Sequence, residues 1–122
     1  MKFVACIEIE PMGKARPRVT KFGTFMPKTY MAWKKRLGFL LLNRRAEAPP
    51  LPITSNIRIS TVFHTKTGNC RCDLDNAHAA VLDALQDAGW IANDRQVKAG
   101  TYAIDQRPTP LLVLHIETIP NP

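Results

Sequence analysis

Residues 57–89 read IRISTVFHTKTGNCRCDLDNAHAAVLDALQDAG, and they hold a strand-like pattern followed by a helical one. Over residues 57–63, apolar or β-branched side chains stand at every second position, which is typical of a strand with one buried face. Farther on, apolar side chains recur at helical spacing, at Ala77, Ala80, Val81, Ala84, Leu85 and Ala88. Asp75 or Asn76 can cap this helix, and Gly89 can end it. The stretch therefore predicts a strand followed by an amphipathic helix.

Other elements are predicted on both sides of this unit. Residues 3–9 alternate as a strand, and residues 29–45 carry an apolar stripe at helical spacing, with Thr29 as a candidate cap. Two more strands are predicted at about 96–104 and 111–118. The order β-α-β-α-β-β predicts an α/β (α+β) fold, in which two main helices pack on a small mixed sheet of about four strands.

The composition is that of one globular domain. The chain has 122 residues, of which 45% are hydrophobic, a share typical of a packed core. The proline-rich connector 47–52 separates two parts that are each too short to fold alone, so we expect residues 1–122 to form a single domain. We find no run of roughly 20 apolar residues that could span a membrane, and acidic residues come too early for a secretory signal. We therefore expect a cytoplasmic protein.

The charge balance favours a polyanionic partner. The chain has 17 Lys and Arg against 10 Asp and Glu, a formal net charge of +7, and such an excess attracts phosphates without regard to sequence. Segment 11–23 holds two prolines and two glycines, which predict a loop. We predict that this basic loop contacts phosphates through Lys14, Arg16, Arg18 and Lys21. A solvated loop without a ligand is the alternative.

Two aspartates lie where the strand gives way to the helix. In an extended backbone, Asp73 and Asp75 point the same way, so their carboxylates can converge, and Asp94 can join them if the chain returns to the same sheet edge. Two carboxylates about 4 Å apart repel by about 4 kcal/mol at an effective dielectric near 20, and a divalent cation removes that repulsion. Oxygen ligands suit Mg²⁺ or Mn²⁺, and either ion can promote hydrolysis of a phosphodiester. The alternative is that Asp73 and Asp75 only cap the helix.

Several short motifs resemble the RusA family of Holliday-junction resolvases. They are Arg71-Cys72-Asp73-Leu74-Asp75-Asn76, Asp83-Ala84-Leu85, Gly89-Trp90, Asn93-Asp94-Arg95-Gln96-Val97 and the basic loop Gly13-Lys14-Ala15-Arg16-Pro17-Arg18. The resemblance implies a RusA-like fold and a crossover junction endodeoxyribonuclease, a homodimer that resolves four-way DNA junctions by paired symmetric nicks with Mg²⁺ in recombination and repair. It places the catalytic, metal-binding triad on Asp73, Asp75 and Asp94, and we add Arg71 to the candidate DNA-binding residues. The frequent occurrence of the family in phages and prophages suggests late DNA processing.

The chain departs from the family at two positions. Well-studied members carry a functional lysine where this chain has Ala79, so the role of that lysine is not transferred. His78 is adjacent, but neighbouring residues on a helix point about 100° apart. Asn93 stands where some members have a second acidic residue. The loss of the lysine leaves open a non-catalytic DNA-binding module with the same fold.

A zinc-stabilised adaptor is the other alternative. Cys70, Cys72, His64 and His78 match a common set of zinc ligands, although Cys-x-Cys is not the usual spacing. Without a secretory context, we expect the three cysteines of the chain to be reduced thiols.

The remaining candidates are assigned to structure or to association. We expect Asp83 and Asp87 to be structural, and the apolar residues of the first helix to serve the core or a dimer interface. The helix at residues 30–42 and the final strand at residues 111–114 have hydrophobic surface to spare for such an interface.

Overall fold

Two helices on one face of a mixed sheet form the body of the protein, whose computed structural model describes residues 1–120. The elements are β1 (Lys2–Ile7), β2 (Arg18–Thr20), β3 (Gly23–Phe25), α1 (Lys28–Leu42), β4 (Ile57–Thr65), α2 (Leu74–Asp87), β5 (Val97–Ala99), β6 (Tyr102–Gln106) and β7 (Leu111–Thr118). The predicted fold class is thereby confirmed. None of the helices in this part of the chain is long and apolar enough to cross a membrane.

The sheet is mixed because β4 pairs with an antiparallel strand on one edge and with parallel strands on the other. The order is β1-β7-β4, with both pairs antiparallel, and β5 and β6 lie parallel to β4 along its other edge. The strand predicted at 96–104 is divided into two at Gly100. A Cβ atom there would lie 1.8 Å from the carbonyl oxygen of Ile59, so the chain runs too close to β4 at this point for any side chain.

The core lies between the sheet and the helices. On the covered face, cross-strand neighbours form apolar rows such as Phe3, Ile116 and Ile59. The buried helical residues are Tyr30, Trp33, Leu37 and Leu41 of α1 and Ala77, Ala80, Val81, Ala84 and Leu85 of α2. The small buried side chains of α2 let its backbone lie close to the sheet.

A polar cluster joins α1 to α2. The hydroxyl of Tyr30, which is buried, donates to Asp83 Oδ2 over 2.6 Å, and Lys34 Nζ lies 3.2 Å from Asp83 and 2.6 Å from Asp87. Burial raises the pKa of Asp83, but the hydrogen bonds from Tyr30 and Lys34 outweigh it and hold that pKa below its usual value. The structural roles expected for Asp83 and Asp87 are confirmed by these contacts.

Both helices begin earlier than the predicted caps. α1 follows Pro27, so Thr29 lies inside the helix and caps nothing. α2 begins at Leu74 with Asp73 in the N-cap position, so the prediction that Asp75 or Asn76 occupies that position is wrong. Gly89 does end α2 as predicted, with a φ of +78° that favours glycine.

The basic segment is not wholly a loop. β2 and β3 pair in register Arg18 to Phe25 and Thr20 to Gly23, which leaves Lys21 and Phe22 as a two-residue turn. The hairpin escaped the sequence prediction because all six of its strand residues are exposed and show no alternation of burial.

Candidate active site

Asp73 and Asp75 lie at the N-terminal end of α2. β4 ends at Thr65, and segment 66–73 leads the chain back into the helix. The Asp73 side chain makes no capping hydrogen bond, whereas Asp75 Oδ1 accepts the backbone N–H of Asn76 over 2.9 Å. Both side chains are exposed. A hydrogen bond within the first helical turn therefore occupies one oxygen of Asp75, and the Asp73 carboxylate makes no capping bond.

The expected reason for their convergence is wrong. Asp73 has an extended backbone, with φ −65° and ψ 141°, but Asp75 belongs to the first helical turn, so the two do not alternate along a strand. They share an end of the helix instead. That end also carries the partial positive charge of the helix dipole, which favours carboxylates.

Asp94 lies at the opposite end of α2. Its backbone N–H donates to Gln86 Oε1 over 3.2 Å, and Gln86 belongs to the last turn of the helix. Val97, three residues later, pairs with Ile57 at the start of β4, whereas Asp73 follows the end of β4. The 13 residues from Asp73 to Gln86 rise about 20 Å along the axis. A single chain therefore does not bring Asp94 to the other two aspartates.

The donor set nevertheless suits a hard divalent cation. Asp73, Asp75 and Asp94 are all exposed, and each offers carboxylate oxygens, the ligand type of Mg²⁺ and Mn²⁺. Within residues 1–120, no three His, Cys, Asp or Glu side chains are grouped closely enough to hold a metal ion. The residues fit the ion by chemistry, and the α2 N-terminus carries two carboxylates in one place along the chain.

Asp94 is held by a short, well-capped turn of 3-10 helix, Asp94–Gln96. Asn93 Oδ1 accepts from the backbone N–H of Arg95 over 2.9 Å, and the N–H of Asn93 donates to Gln96 Oε1 over 2.8 Å. Gln96 Nε2 also donates to the carbonyl of Ile53 over 2.7 Å. Asn93 thus orders the turn that presents Asp94.

The basic segment begins beside the aspartate pair. The N–H of Lys14 donates to the carbonyl of Asn76 over 3.2 Å. A Cβ on Gly13 would lie 2.9 Å from Cys72 Cβ, so only glycine allows this approach. The predicted DNA-binding side chains Lys14, Arg16, Arg18, Lys21 and Arg71 are all exposed, and none forms a salt bridge with another residue of the described chain. The basic segment therefore begins at the end of α2 that carries the aspartate pair.

A surface groove adjoins the same end. Its volume is about 770 Å³, and it opens between segments 10–13 and 65–72, with Arg71 and Cys72 on its wall directly before Asp73. An extended anionic chain that entered this groove would pass next to the aspartates.

A family model described as Endodeoxyribonuclease RusA matches residues 8–110. The chain belongs to the RusA endodeoxyribonuclease family. The match includes the basic segment and all three aspartates, and it confirms the resemblance to this family of DNA-cutting nucleases. No curated protein sequence matches the chain significantly.

The zinc ligand set is not assembled in this RusA chain. Cys70 Sγ and Cys72 Sγ are 3.7 Å apart, and burial raises the pKa of Cys72 to about 11, which opposes thiolate formation. His78 Nδ1 instead lies 2.7 Å from Thr61 Oγ1, and His64 is buried separately in β4. The two thiols are neighbours without histidine partners.

Sequence reasoning missed the two glutamines that position the Asp94 segment, Gln86 and Gln96. For Gln96 a signal existed, because asparagine followed three residues later by glutamine is a capping-box pattern. For Gln86 no local signal exists, since its partner is eight residues away in a turn.

Proposed function

We propose that this RusA protein is a Mg²⁺-dependent endodeoxyribonuclease that resolves four-way junctions by paired symmetric nicks in DNA recombination and repair. The observation that carries the proposal is the pair of exposed carboxylates, Asp73 and Asp75, which lies beside exposed cations of the basic segment. Carboxylates alone would repel a phosphate backbone, and cations alone would only bind it. Their combination suits both binding and hydrolysis.

Asp73, Asp75 and Asp94 are the residues that would hold the ion, and Mn²⁺ can replace Mg²⁺ in an assay because both prefer oxygen ligands. When bound, such an ion would orient the scissile phosphate, lower the pKa of the attacking water and stabilise negative charge on the leaving oxygen. Arg71 and Lys14 neutralise phosphates of the DNA that approaches the aspartates. Ala79 contributes no proton donor, so this chain lacks the cation that other members place there.

The separation of Asp94 from the pair supports a homodimer. Within one chain, the pair Asp73 and Asp75 lies at one end of α2 and Asp94 at the other, about 20 Å apart along the helix. In a two-fold dimer whose α2 helices run antiparallel, each Asp75 end meets the Asp94 end of the other chain. Each centre then draws two aspartates from one chain and the third from its partner, and the dimer contains two centres related by symmetry.

The outer stripe of α2 suits such a pairing. Asp75, Ala79, Leu82 and Gln86 are spaced by four, three and four residues, so they lie along one side of the helix. Ala79 and Leu82 are half-buried and apolar, and they flank the midpoint where the two-fold axis would cross. A lysine at position 79 would add a charge close to that contact. Ala79 thus allows the close packing of the two α2 helices that the proposed interface requires.

Cleavage of synthetic four-way junctions against linear duplex, with and without Mg²⁺, tests the function. We expect Mg²⁺-dependent nicks at symmetric positions in the junction only. Asp75→Asn should abolish nicking and leave binding intact or tighter, because the change removes a metal ligand and relieves repulsion of phosphate. Asp87→Asn removes the same charge from the other end of the helix and should retain activity.

A second function, DNA binding without catalysis, is favoured by Ala79. The same experiment separates the two, since a non-catalytic module would bind the junction and leave it uncut at every Mg²⁺ or Mn²⁺ concentration.

A further inference from the structure

The hairpin of β2 and β3 exposes large apolar side chains to solvent. Val19 is 81% exposed, Phe22 is 79% exposed and Phe25 is 53% exposed. Phe22 stands in the two-residue turn, at the tip. A cluster of exposed apolar side chains on a short projection is typical of an interaction surface, because these side chains are not stabilised by packing in the core.

The tip is ordered by its own contacts. Thr20 Oγ1 accepts the N–H of Phe22 over 3.2 Å and donates to the carbonyl of Gly23 over 3.2 Å. Gly23 has a φ of +126°, a conformation that favours glycine. Phe22 is thus presented on a defined turn, which lowers the entropy cost of binding.

The positive charges around the tip of the hairpin favour an anionic partner. Lys21 Nζ lies 5.1 Å from the centroid of the Phe22 ring, and Arg16 and Arg18 precede it. The sequence contains no acidic residue between Glu10 and Glu47. A polyanion that also offers flat apolar faces matches this surface, and nucleic-acid bases are such faces.

The base of the hairpin ties this surface to the candidate active site. The basic segment contacts α2 at Lys14, whose N–H donates to the carbonyl of Asn76, next to Asp75. DNA held at the aspartates would therefore pass the hairpin. An anionic membrane also suits cations with exposed aromatics, but it does not account for this attachment.

We propose that the Phe22 ring stacks on the face of a base pair left open at the branch point of a DNA junction. The inference rests on the proposed function and names the feature of the substrate that the hairpin recognises. Inside a linear duplex every base pair is covered by its neighbours, whereas at a branch point the stack is interrupted. Lys21 and Arg18 contact the flanking phosphates, and Phe22 confers preference for junctions over duplex.

Binding of a four-way junction that carries 2-aminopurine beside the branch point tests the proposal, without divalent metal so that no strand is cut. Wild-type protein should quench the 2-aminopurine and bind the junction more tightly than linear duplex. Phe22→Ala should lose the quenching and weaken junction binding about tenfold, with duplex binding unchanged. Phe22→Trp should retain both properties. Val4→Ala is the matched control, since it removes an exposed apolar side chain from β1, outside the hairpin, and should change neither.

The outcomes separate the two proposals. If wild-type protein does not prefer the junction, the proposed function fails. If wild-type protein prefers the junction and Phe22→Ala binds and quenches equally well, the role of Phe22 is overturned and the proposed function stands. An equal loss of junction and duplex binding in Phe22→Ala also overturns that role. So does Phe22-dependent binding to phosphatidylserine vesicles without an effect on DNA.

Discussion

A heterodimer with Asp75→Asn in one chain and Asp94→Asn in the other is expected to keep one working centre. If each centre takes Asp73 and Asp75 from one chain and Asp94 from the other, both substitutions fall in the same centre. The second centre then retains all three aspartates. If all three ligands came from one chain, each centre would contain one substitution and both would be inactive.

The size of the separation makes this prediction sharp. Ligands of one Mg²⁺ lie about 2 Å from the ion, so their oxygens are within about 4 Å of each other. Asp73 and Gln86 are separated by about 20 Å along α2, and the N–H of Asp94 is 3.2 Å from the Gln86 side chain. One glutamine side chain bridges only a small part of that distance. Closure within one chain would require α2 or the turn after it to unfold.

The assay uses two differently tagged chains, co-expressed and purified through both tags. The heterodimer should nick a four-way junction at about half the wild-type initial rate, since it has one of two symmetric centres. It should leave the opposite strand uncut and so produce few linear duplex products. Both homodimeric variants should be inactive while they bind the junction.

An inactive heterodimer that is dimeric and binds junctions would refute the shared centre. The interface has its own control, because Leu82→Cys in both chains should allow a short thiol crosslinker to join them across the axis, in a background where the native cysteines are serine. Sedimentation that finds only monomer, with or without junction DNA, would remove the dimer altogether.

Three further predictions concern binding and stability. Arg16→Ala with Arg18→Ala should flatten the dependence of log K on log salt by roughly one unit for each phosphate that the two arginines neutralise, and an unchanged slope would mean a solvated segment. Asp83→Asn should lower the free energy of unfolding by about 2 kcal/mol at neutral pH, because the change removes a charged hydrogen-bond acceptor. The pKa of Asp83 in the folded protein is below its ordinary value of 3.8. Its stabilising contribution is therefore present above pH 3.8 and disappears as pH falls through the folded-state pKa. Melting curves of wild type and variant should converge in acid. Gly100→Ala should prevent folding, as measured by circular dichroism, because its Cβ would meet the carbonyl of Ile59 at 1.8 Å.

The elements that the sequence predicted well are those set by local periodicity. The alternation of residues 57–63 and the apolar stripe of α2 each require burial on one side, and burial is what the pattern encodes. The hairpin at 18–25 carries no such pattern because it touches solvent on both faces. The exact start of α2 was missed because Asp73, Asp75 and Asn76 are all good capping residues and only the backbone conformation distinguishes them.

The site was predicted in part for a similar reason. The proximity of Asp73 and Asp75 follows from their places in the chain. The position of Asp94 depends on two non-local contacts, the hydrogen bond to Gln86 and the pairing of Val97 with Ile57. No spacing rule encodes such contacts, so the expectation of a return to the same sheet edge was wrong for a single chain.

One helix therefore links the separate parts of the proposed mechanism. α2 carries the aspartate pair and the anchor of the basic hairpin at its first turn, and the contact that holds Asp94 at its last. Two such helices in antiparallel contact would give two centres separated by about the length of one helix, about 20 Å, each with a hairpin beside it. Each centre would lack a ligand until the second chain is present, so cleavage would be confined to the dimer. A chain that cuts only as a dimer makes its nicks in pairs, and paired nicks are what resolution of a four-way junction requires.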